Sequence, residues 1–157
     1  MMSIHLRKAT SSDAAAISQL ILSLTEKYVC PSFAESARHI LLTSMSAENV
    51  GAYLSGNYFY IVAATADEDI VGVAGIRDYS HLYHLFVDDS YQGQGLSRRL
   101  WEAVKAEALT NGNPGRFTVN SAVNAEHVYE HFGFQRIDGI RQQNGIIDVP
   151  MVLEIAS

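Results

Sequence analysis

The sequence predicts a domain of the α/β class, more narrowly α+β, and three observations support this prediction. Two nearly continuous apolar runs, Tyr58 to Ala64 and Ile70 to Ile76, are rich in β-branched and aromatic residues. The acidic turn 66–69 separates them, so they predict an antiparallel hairpin buried on both faces. Behind Gly95 apolar residues recur at helical spacing, and similar helical patterns lie between further strand-like runs along the chain.

The first third of the chain predicts one strand followed by helices. Residues Ile4 to Arg7 alternate between apolar and polar as a short strand does. Residues Thr10 to Asp13 resemble a capping box, and apolar residues at helical spacing continue to Leu24. Residues 28–56 contain Pro31 and scattered apolar residues, which predict helical pieces joined by loops. We interpret this region as a cover over a site.

The remaining elements alternate again between strands and helices. They are a strand over His81–Val87, a helix ending before Asn111, a short strand over Arg116–Asn120, a helix ended by Gly133, and strand-like runs from Gln135 to Ile137 onward and over Ile146–Ile155. Pro150 predicts an edge position or a bulge in the last run, because proline has no N–H for a strand ladder.

Composition limits the class of protein. The 157 residues fit one domain, 1–157, with a sizeable core. No apolar run is long enough for a membrane span, and the N-terminus lacks a secretory pattern, so we expect no membrane association and a cytoplasmic location. The single cysteine, Cys30, excludes an intramolecular disulfide and lacks an activating neighbour in sequence.

Charge points to the kind of partner. The formal net charge is −6 and the basic residues are scattered, which argues against nucleic-acid binding. Cationic or amine-bearing partners fit this balance better. A homodimer is compatible with the sequence, which contains no feature that fixes the oligomeric state.

The turn between the strand 81–87 and the following helix predicts an anion site. Gly93 and Gly95 allow positive φ angles, so that several backbone N–H groups can converge at the start of a helix. Two common phosphate motifs are excluded. The turn contains no Gly-Lys-Ser/Thr of a P-loop, and Arg98 stands where a dinucleotide fingerprint needs its third glycine.

Two separated motifs instead resemble the GNAT superfamily of N-acetyltransferases. The first is Gln92-Gly-Gln-Gly-Leu-Ser97, preceded by Leu85-Phe-Val87 and Tyr91, and it is similar to the acyl-coenzyme A signature Gln/Arg-x-x-Gly-x-Gly/Ala. Ser97 departs from the small apolar residue of that signature. The second contains Val119-Asn-Ser-Ala122, then Ala125, Tyr129 and Gly133-Phe134, in the order typical of that superfamily.

The resemblance implies a fold and a cosubstrate. The fold is a mixed, mostly antiparallel central sheet flanked by helices, with two strands splayed apart around acetyl-coenzyme A and no metal. Backbone groups of Leu85 and Val87 would pair with pantetheine, and N–H groups from Gly93 to Arg98 would hold the pyrophosphate. Arg98 or Arg99 would add a cation, unless both lie on a solvated helix face. The implied cofactor-binding residues are Leu85, Phe86, Val87, Gln92, Gly93, Gln94, Gly95, Leu96, Ser97, Arg98, Asn120 and Asn124.

The resemblance also implies catalytic roles in direct acetyl transfer to a primary amine of a small molecule or peptide. Tyr129 would donate a proton to the departing thiolate. His81 is the candidate base, because we expect it to share a strand face with Tyr83, Leu85 and Val87. An imidazole can accept a proton at neutral pH, although ordered water could do so instead. His84 has the opposite parity and is expected to pack against a helix.

The acceptor leaves weaker marks in the sequence. Aromatic residues of the cover and of the strand 81–87, namely Tyr28, Phe33 and Tyr83, are the candidate substrate contacts. Asp78 and Glu26 are candidates for holding a cationic substrate or for acting through water.

Two other functions remain open at this stage. A non-catalytic acyl-coenzyme A sensor would retain the glycine turn without the chemistry. A zinc peptidase is suggested by His127-Val-Tyr-Glu-His131, which matches the inverted pattern His-x-x-Glu-His. The same segment is explained by the helix that carries Tyr129.

Overall fold

The computed structural model describes residues 3–155. The strands are β1 (Ile4–Lys8), β2 (Tyr58–Thr65), β3 (Ile70–Arg77), β4 (His81–Val87), β5 (Arg116–Ser121), β6 (Gln135–Arg136), β7 (Arg141–Gln143) and β8 (Ile146–Glu154). The helices are α1 (Ala14–Tyr28), α2 (Glu35–Ser44), α3 (Ala47–Ser55), α4 (Leu96–Thr110) and α5 (Glu126–His131). Short 3₁₀ turns lie at Ser11–Asp13, Cys30–Ser32 and Asp89–Tyr91.

The strands form one mixed sheet in the order β1-β2-β3-β4-β5-β8-β6, with β7 paired to β8. All pairs are antiparallel except β4 with β5. The parallel pair is short, because only His81 with Thr118 and Leu82 with Val119 are in register. Beyond Leu82 the two strands separate. The predicted α+β class, the β2–β3 hairpin and the splayed strands are confirmed.

Helices cover both faces of the sheet. Leu100, Trp101 and Val104 of α4 pack with Phe117 and Phe134 in a core on one face. A second core on the other face joins α1 and α3 to β2 and β3 through residues Ile17, Ile21, Val50, Val62 and Val73. Because α4 and the α1–α3 segment lie on opposite faces, the gap between β4 and β5 lies between the two helical layers.

A β-bulge interrupts β4 at Tyr83. Gly75 of β3 pairs with His84, and the next β3 residue, Ile76, pairs with Leu82 rather than with Tyr83. Tyr83 is therefore an extra residue, and an extra residue reverses the alternation of side chains between the two faces.

The bulge corrects the predicted parity of β4. Leu85 and Val87 pair with even-numbered residues of β3, whereas His81 pairs with Arg77. Directly opposed residues of an antiparallel pair share a face, and odd and even positions of β3 face opposite sides. The expectation that His81 shares a face with Leu85 and Val87 is wrong, because simple alternation counts Tyr83 as a regular strand residue.

The C-terminal region differs from the prediction in two places. Asn144 and Gly145 have φ angles of 55° and 81° and form a two-residue turn between β7 and β8, although β7 was not predicted. Pro150 lies inside β8, which has β5 on one side and β6 on the other, so it is not on an edge. Its carbonyl accepts from the N–H of Ile137, and its missing N–H therefore faces the end of the short β6.

The segment 28–56 forms two helices and connecting turns, as the sequence predicts. A tight N-cap begins α3, where the Ser46 side chain accepts from the N–H of Asn49. Within residues 3–155, none of the helices is both long and apolar enough to cross a membrane.

Candidate active site

A cavity of about 680 Å³ opens where β4 separates from β5. Its walls come from β4, the glycine turn with the start of α4, the approach to α5, the segment from α1 through α2, and the start of β8. We call Gly93, Gly95, Ser97 and Asn124 the glycine wall. We call Phe33, Ile40, Leu41, Met45 and Ile146 the apolar wall. Both walls line the same space.

The glycine wall has free backbone donors. Gly93 and Gly95 both adopt φ +76°, and a Cβ added to either would meet no atom within 4 Å. The first helical bond runs from the N–H of Arg99 to the carbonyl of Gly95, at 3.1 Å. The N–H groups of Leu96 and Ser97 at this helix end therefore have no carbonyl one turn earlier. Open space beside converging donors fits a pyrophosphate.

Strand β4 directs a second set of backbone groups into the gap. The N–H of Asp88 donates to the carbonyl of Val71 at 2.8 Å, so the polar groups of Asp88 face β3. Along an antiparallel strand, the backbone N–H and C=O groups of successive residues point alternately to the two neighbouring strands. The backbone groups of Val87 and Leu85 therefore face away from β3, towards the gap. The Val87 carbonyl accepts from Nε2 of Gln92 at 2.9 Å, which fixes the glycine turn to β4. The Val87 N–H remains directed into the gap.

Several predicted cofactor residues line the cavity and others do not. Among those that line it are Leu85, Phe86, Val87, Gln92, Leu96, Ser97, Asn120 and Asn124. Gln94 and Arg98 do not line it. The Arg98 guanidinium donates to the carbonyl of His131 at 2.7 Å and lies over the Phe132 ring, so it binds the end of α5 instead of turning towards the glycines.

A set of polar contacts holds the end of α1 beside the glycine wall. The amide Nδ2 of Asn124 donates to the carbonyl of Tyr28 at 2.9 Å. The hydroxyl of Tyr28 donates to Asp89 at 2.6 Å, and Lys27 forms an ion pair with the same carboxylate. These contacts connect α1, the turn before the glycines and the approach to α5. Tyr28 and Asn124 both line the cavity as a result.

Tyr129 is held in the cavity wall by aromatic packing. It is the one buried residue of α5 within the described chain, and its ring meets those of Phe132 and Phe134 edge-on. Burial raises the pKa of Tyr129 to about 12, because the ionised phenolate would lose its hydration. The phenol is therefore protonated throughout the neutral range and available as a proton donor.

His81 also lines the cavity, at the point where β4 and β5 separate. Its Nδ1 is hydrogen-bonded to Oγ1 of Thr118 at 2.8 Å, so the ring is fixed by β5. Burial, followed by the charges of Arg77 and Arg141, lowers the pKa of His81 below its usual value. A neutral imidazole near pH 7 can accept a proton.

His84 occupies a different environment in the same strand. It is buried, and its Nδ1 is hydrogen-bonded to the hydroxyl of Tyr60 at 2.8 Å. Burial lowers the pKa of His84 to about 3, so it stays neutral. Its ring packs against those of Tyr53 and Tyr83, beneath α3, which agrees with the expected contact with a helix.

Some of the residues predicted to contact the acceptor line the cavity and others do not. Phe33, Tyr28 and Tyr83 line the cavity. Asp78 does not: it lies in the turn after β3, where its carboxylate accepts a hydrogen bond from Asn57. Glu26 is exposed on α1 outside the cavity. Neither carboxylate therefore lies where it could hold a substrate in this cavity.

One acidic residue of the cavity was missed from the sequence. Asp148 is buried at the start of β8 and lines the cavity. Arg141 binds both of its oxygens, at 2.8 and 2.7 Å, across the β7–β8 turn. The Asn144-Gly145 pair was the available signal, because Asn-Gly between short extended runs is typical of a tight hairpin. Recognising it would have placed Arg141 opposite Asp148.

The histidines of the peptidase-like pattern lie on the short α5. Nδ1 of His131 donates to the carbonyl of His127. Among residues 3–155, no three His, Cys, Asp or Glu side chains are grouped so that they could hold a metal ion. Cys30 is buried, which raises the pKa of its thiol and disfavours the nucleophilic thiolate.

Structural comparison places many related folds beside this one. A GCN5-related N-acetyltransferase from Rhodopseudomonas palustris has a TM-score of 0.81 at 22% identity, covering 99% of this chain and 98% of its own. The PaiA N-acetyltransferase of Thermoplasma acidophilum, in complex with coenzyme A, has a TM-score of 0.80 at 16% identity, with 98% and 100% covered. YncA of Salmonella typhimurium, with acetyl-CoA, has a TM-score of 0.74 at 18% identity, with 99% and 95% covered.

Sequence comparison identifies the family. No curated protein sequence gives a significant match to the chain. The family model for the acetyltransferase (GNAT) domain matches residues 29–155, which is most of the chain and includes both motifs and most of the residues that line the cavity. The chain therefore belongs to the GNAT family of acetyltransferases.

Proposed function

We propose that this chain is an N-acetyltransferase that transfers an acetyl group from acetyl-CoA directly to a primary amine bound in the same cavity. The observation that carries the proposal is that one cavity contains the glycine wall, Tyr129 and His81. Structural relatives with coenzyme A or acetyl-CoA bound support the choice of donor.

The donor would be held mainly by backbone groups. The helix start at Gly95 offers N–H donors and a favourable dipole to the pyrophosphate. Leu85 offers its backbone groups in the gap between β4 and β5 to an amide of pantetheine, and the Val87 N–H follows in the same gap, two residues further along the strand. The glycines leave space in which the phosphates can approach the backbone closely.

We assign each step of the reaction to a group that lines this cavity. His81 accepts the proton that the ammonium must lose, since an amine with a pKa of about 10 is mostly protonated at neutral pH. The Val87 N–H donates to the carbonyl oxygen of the thioester as negative charge develops during attack by the amine nitrogen. Tyr129 donates a proton to the sulfur as the carbon–sulfur bond breaks, and the second proton that the nitrogen loses on forming the amide restores the Tyr129 hydroxyl through water.

The test is thiol release from acetyl-CoA by the purified chain, measured with a broad panel of primary amines. We expect multiple turnovers with at least one amine. Double-reciprocal plots of the initial rate should intersect when the concentrations of both substrates are varied. Calorimetric binding of acetyl-CoA without turnover on any amine would favour a non-catalytic sensor. Parallel double-reciprocal plots would instead indicate an acetylated-enzyme intermediate and contradict direct transfer.

A further inference from the structure

The apolar wall of the cavity is built by two elements that the family signature does not include. Phe33, Leu41 and Met45 come from the segment between α1 and α3, and Ile146 comes from β8. Phe33 and Met45 are buried. This wall therefore has a fixed, hydrophobic floor.

Two isoleucines of the same wall lie open to water. Ile40 on α2 is 66% exposed and Ile146 on β8 is 38% exposed, and both line the cavity. Exposed large aliphatic side chains that converge on a cavity are surface from which a ligand can displace water. An apolar ligand body would cover both side chains, whereas a charged body would lose hydration there without compensation.

The charges of the cavity also select among amines. Its lining within residues 3–155 includes no Lys, Arg or Glu, and Asp148 is its one acidic residue. Both oxygens of Asp148 are already bound by Arg141. The lining therefore offers no Lys or Arg for a substrate carboxylate or phosphate, and the charge of its one carboxylate is already balanced by Arg141.

The β7–β8 turn closes one side of the apolar wall. The N–H of Ala34 donates to the carbonyl of Gly145 at 3.1 Å. A Cβ at Gly145 would lie 2.6 Å from Cβ of Ala34, so the turn packs directly on the start of α2. This contact holds the turn that precedes Ile146 against the helix that carries Ile40.

From these contacts we propose that the acceptor is a small monoamine with an uncharged aromatic or branched aliphatic body, which packs against Ile40 and Ile146 while its nitrogen lies towards His81. The proposal rests on the acetyltransferase function proposed above. An apolar surround also lowers the pKa of the substrate ammonium, because desolvation disfavours its charged form. The apolar wall thus assists the deprotonation that attack requires.

The first test compares amines of matched size on the wild-type chain by thiol release. We expect 2-phenylethylamine and isopentylamine to give kcat/KM values about tenfold or more above those of lysine, glutamate and spermidine, because the additional charged groups of these three would be desolvated without a partner. A higher value for spermidine or lysine would overturn this inference while leaving acetyl transfer intact. A higher value for a peptide with an N-terminal phenylalanine would contradict the small size proposed for the acceptor. If neither these amines nor any other primary amine gave thiol release, the proposed function itself would be contradicted.

The second test places a charge on the apolar wall. Ile40→Lys should raise KM for 2-phenylethylamine about tenfold, because it removes an apolar contact with the acceptor, and should leave KM for acetyl-CoA unchanged. The fold should be retained, because Ile40 is exposed. Ile137→Lys is the matched control, since Ile137 is 55% exposed and lies outside the cavity. Equal effects of the two substitutions, or no effect of either, would show that Ile40 does not contact the acceptor.

Discussion

The glycine wall and the apolar wall line one cavity but are built by different means. The glycine wall uses backbone N–H groups at a helix start, two positive φ angles and open space. The apolar wall uses side chains that α2 and β8 bring together, although more than a hundred residues separate Ile40 from Ile146. One wall is local in sequence and the other depends on the tertiary fold.

This difference indicates how each wall can vary. A site made of backbone groups depends on the conformation of a short segment, so its residue types are restricted to those that permit the conformation. A site made of side chains can change its specificity through single substitutions, because the supporting helix and strand remain the same. Substitutions in the two walls should therefore affect different kinetic constants.

The largest effect is expected in the glycine wall. Gly95→Val should raise KM for acetyl-CoA about a hundredfold, because a β-branched residue is strained at φ +76° and its side chain would enter the open space of the pyrophosphate. Steady-state kinetics with varied acetyl-CoA measure this. Gly112→Val is the matched control, since Gly112 has φ +99° and open space but lies after α4. An unchanged KM in Gly95→Val would contradict the assigned role of the turn.

The next effect concerns proton donation. Tyr129→Phe should lower kcat roughly tenfold to a hundredfold and leave KM for acetyl-CoA nearly unchanged, because the ring contacts with Phe132 and Phe134 survive without the hydroxyl. Tyr79→Phe, outside the cavity, is the control. A kcat equal to that of the wild type would remove Tyr129 from the mechanism.

A pH profile tests the base. The pKa of His81 is below its usual value of 6.5, so the wild-type kcat should fall only as the pH drops below about 6.5, where His81 becomes protonated and can no longer accept a proton. Tyr129 has a pKa of about 12, so its ionisation should not lower the rate at alkaline pH values below about 12. His81→Ala should lose about tenfold in kcat at pH 7 and less as the pH approaches 10, where the amine deprotonates by itself.

The exposed His5 provides the control for that profile. His5→Ala should reproduce the wild-type curve, since His5 lies on β1 away from the cavity. If His81→Ala gave the same curve as His5→Ala, water rather than His81 would be the proton acceptor.

The smallest effect lies at the border of the glycine wall. Asn124→Ala removes the bond to the carbonyl of Tyr28 and should raise KM for acetyl-CoA about threefold to fivefold, the size of one ordinary hydrogen bond. Asn111→Ala removes a comparable amide contact at the far end of α4 and should leave KM unchanged. A decrease in KM in Asn124→Ala would mean that the contact obstructs the donor.

The sequence predicts the locally encoded wall well. Positive φ at Gly93 and Gly95 follows from the residue type, and the strand before them and the helix after them follow from periodicity. The buried β2–β3 hairpin is likewise evident, because two β-branched runs flank a short acidic turn. These features need no knowledge of distant contacts.

The rest depends on tertiary packing that periodicity does not encode. The bulge at Tyr83 leaves no break in the apolar pattern of β4, so alternation assigned His81 to the wrong face. Arg98 binds the end of α5, 33 residues away, which the sequence around the glycines does not indicate. The pairing of His81 with Thr118 requires the topology of the parallel β4–β5 pair.

Backbone groups of β4 and of the glycine turn should hold the donor, at a site separate from the apolar wall that contacts the acceptor. Amide NMR of the labelled chain during titration with coenzyme A tests it most directly. We predict that the largest shifts occur at Leu85, Val87, Gly93, Gly95 and Ser97, with small shifts at Ile40 and Ile146. Large shifts at Ile40 and Ile146, with the amides of the glycine turn unmoved, would contradict the account.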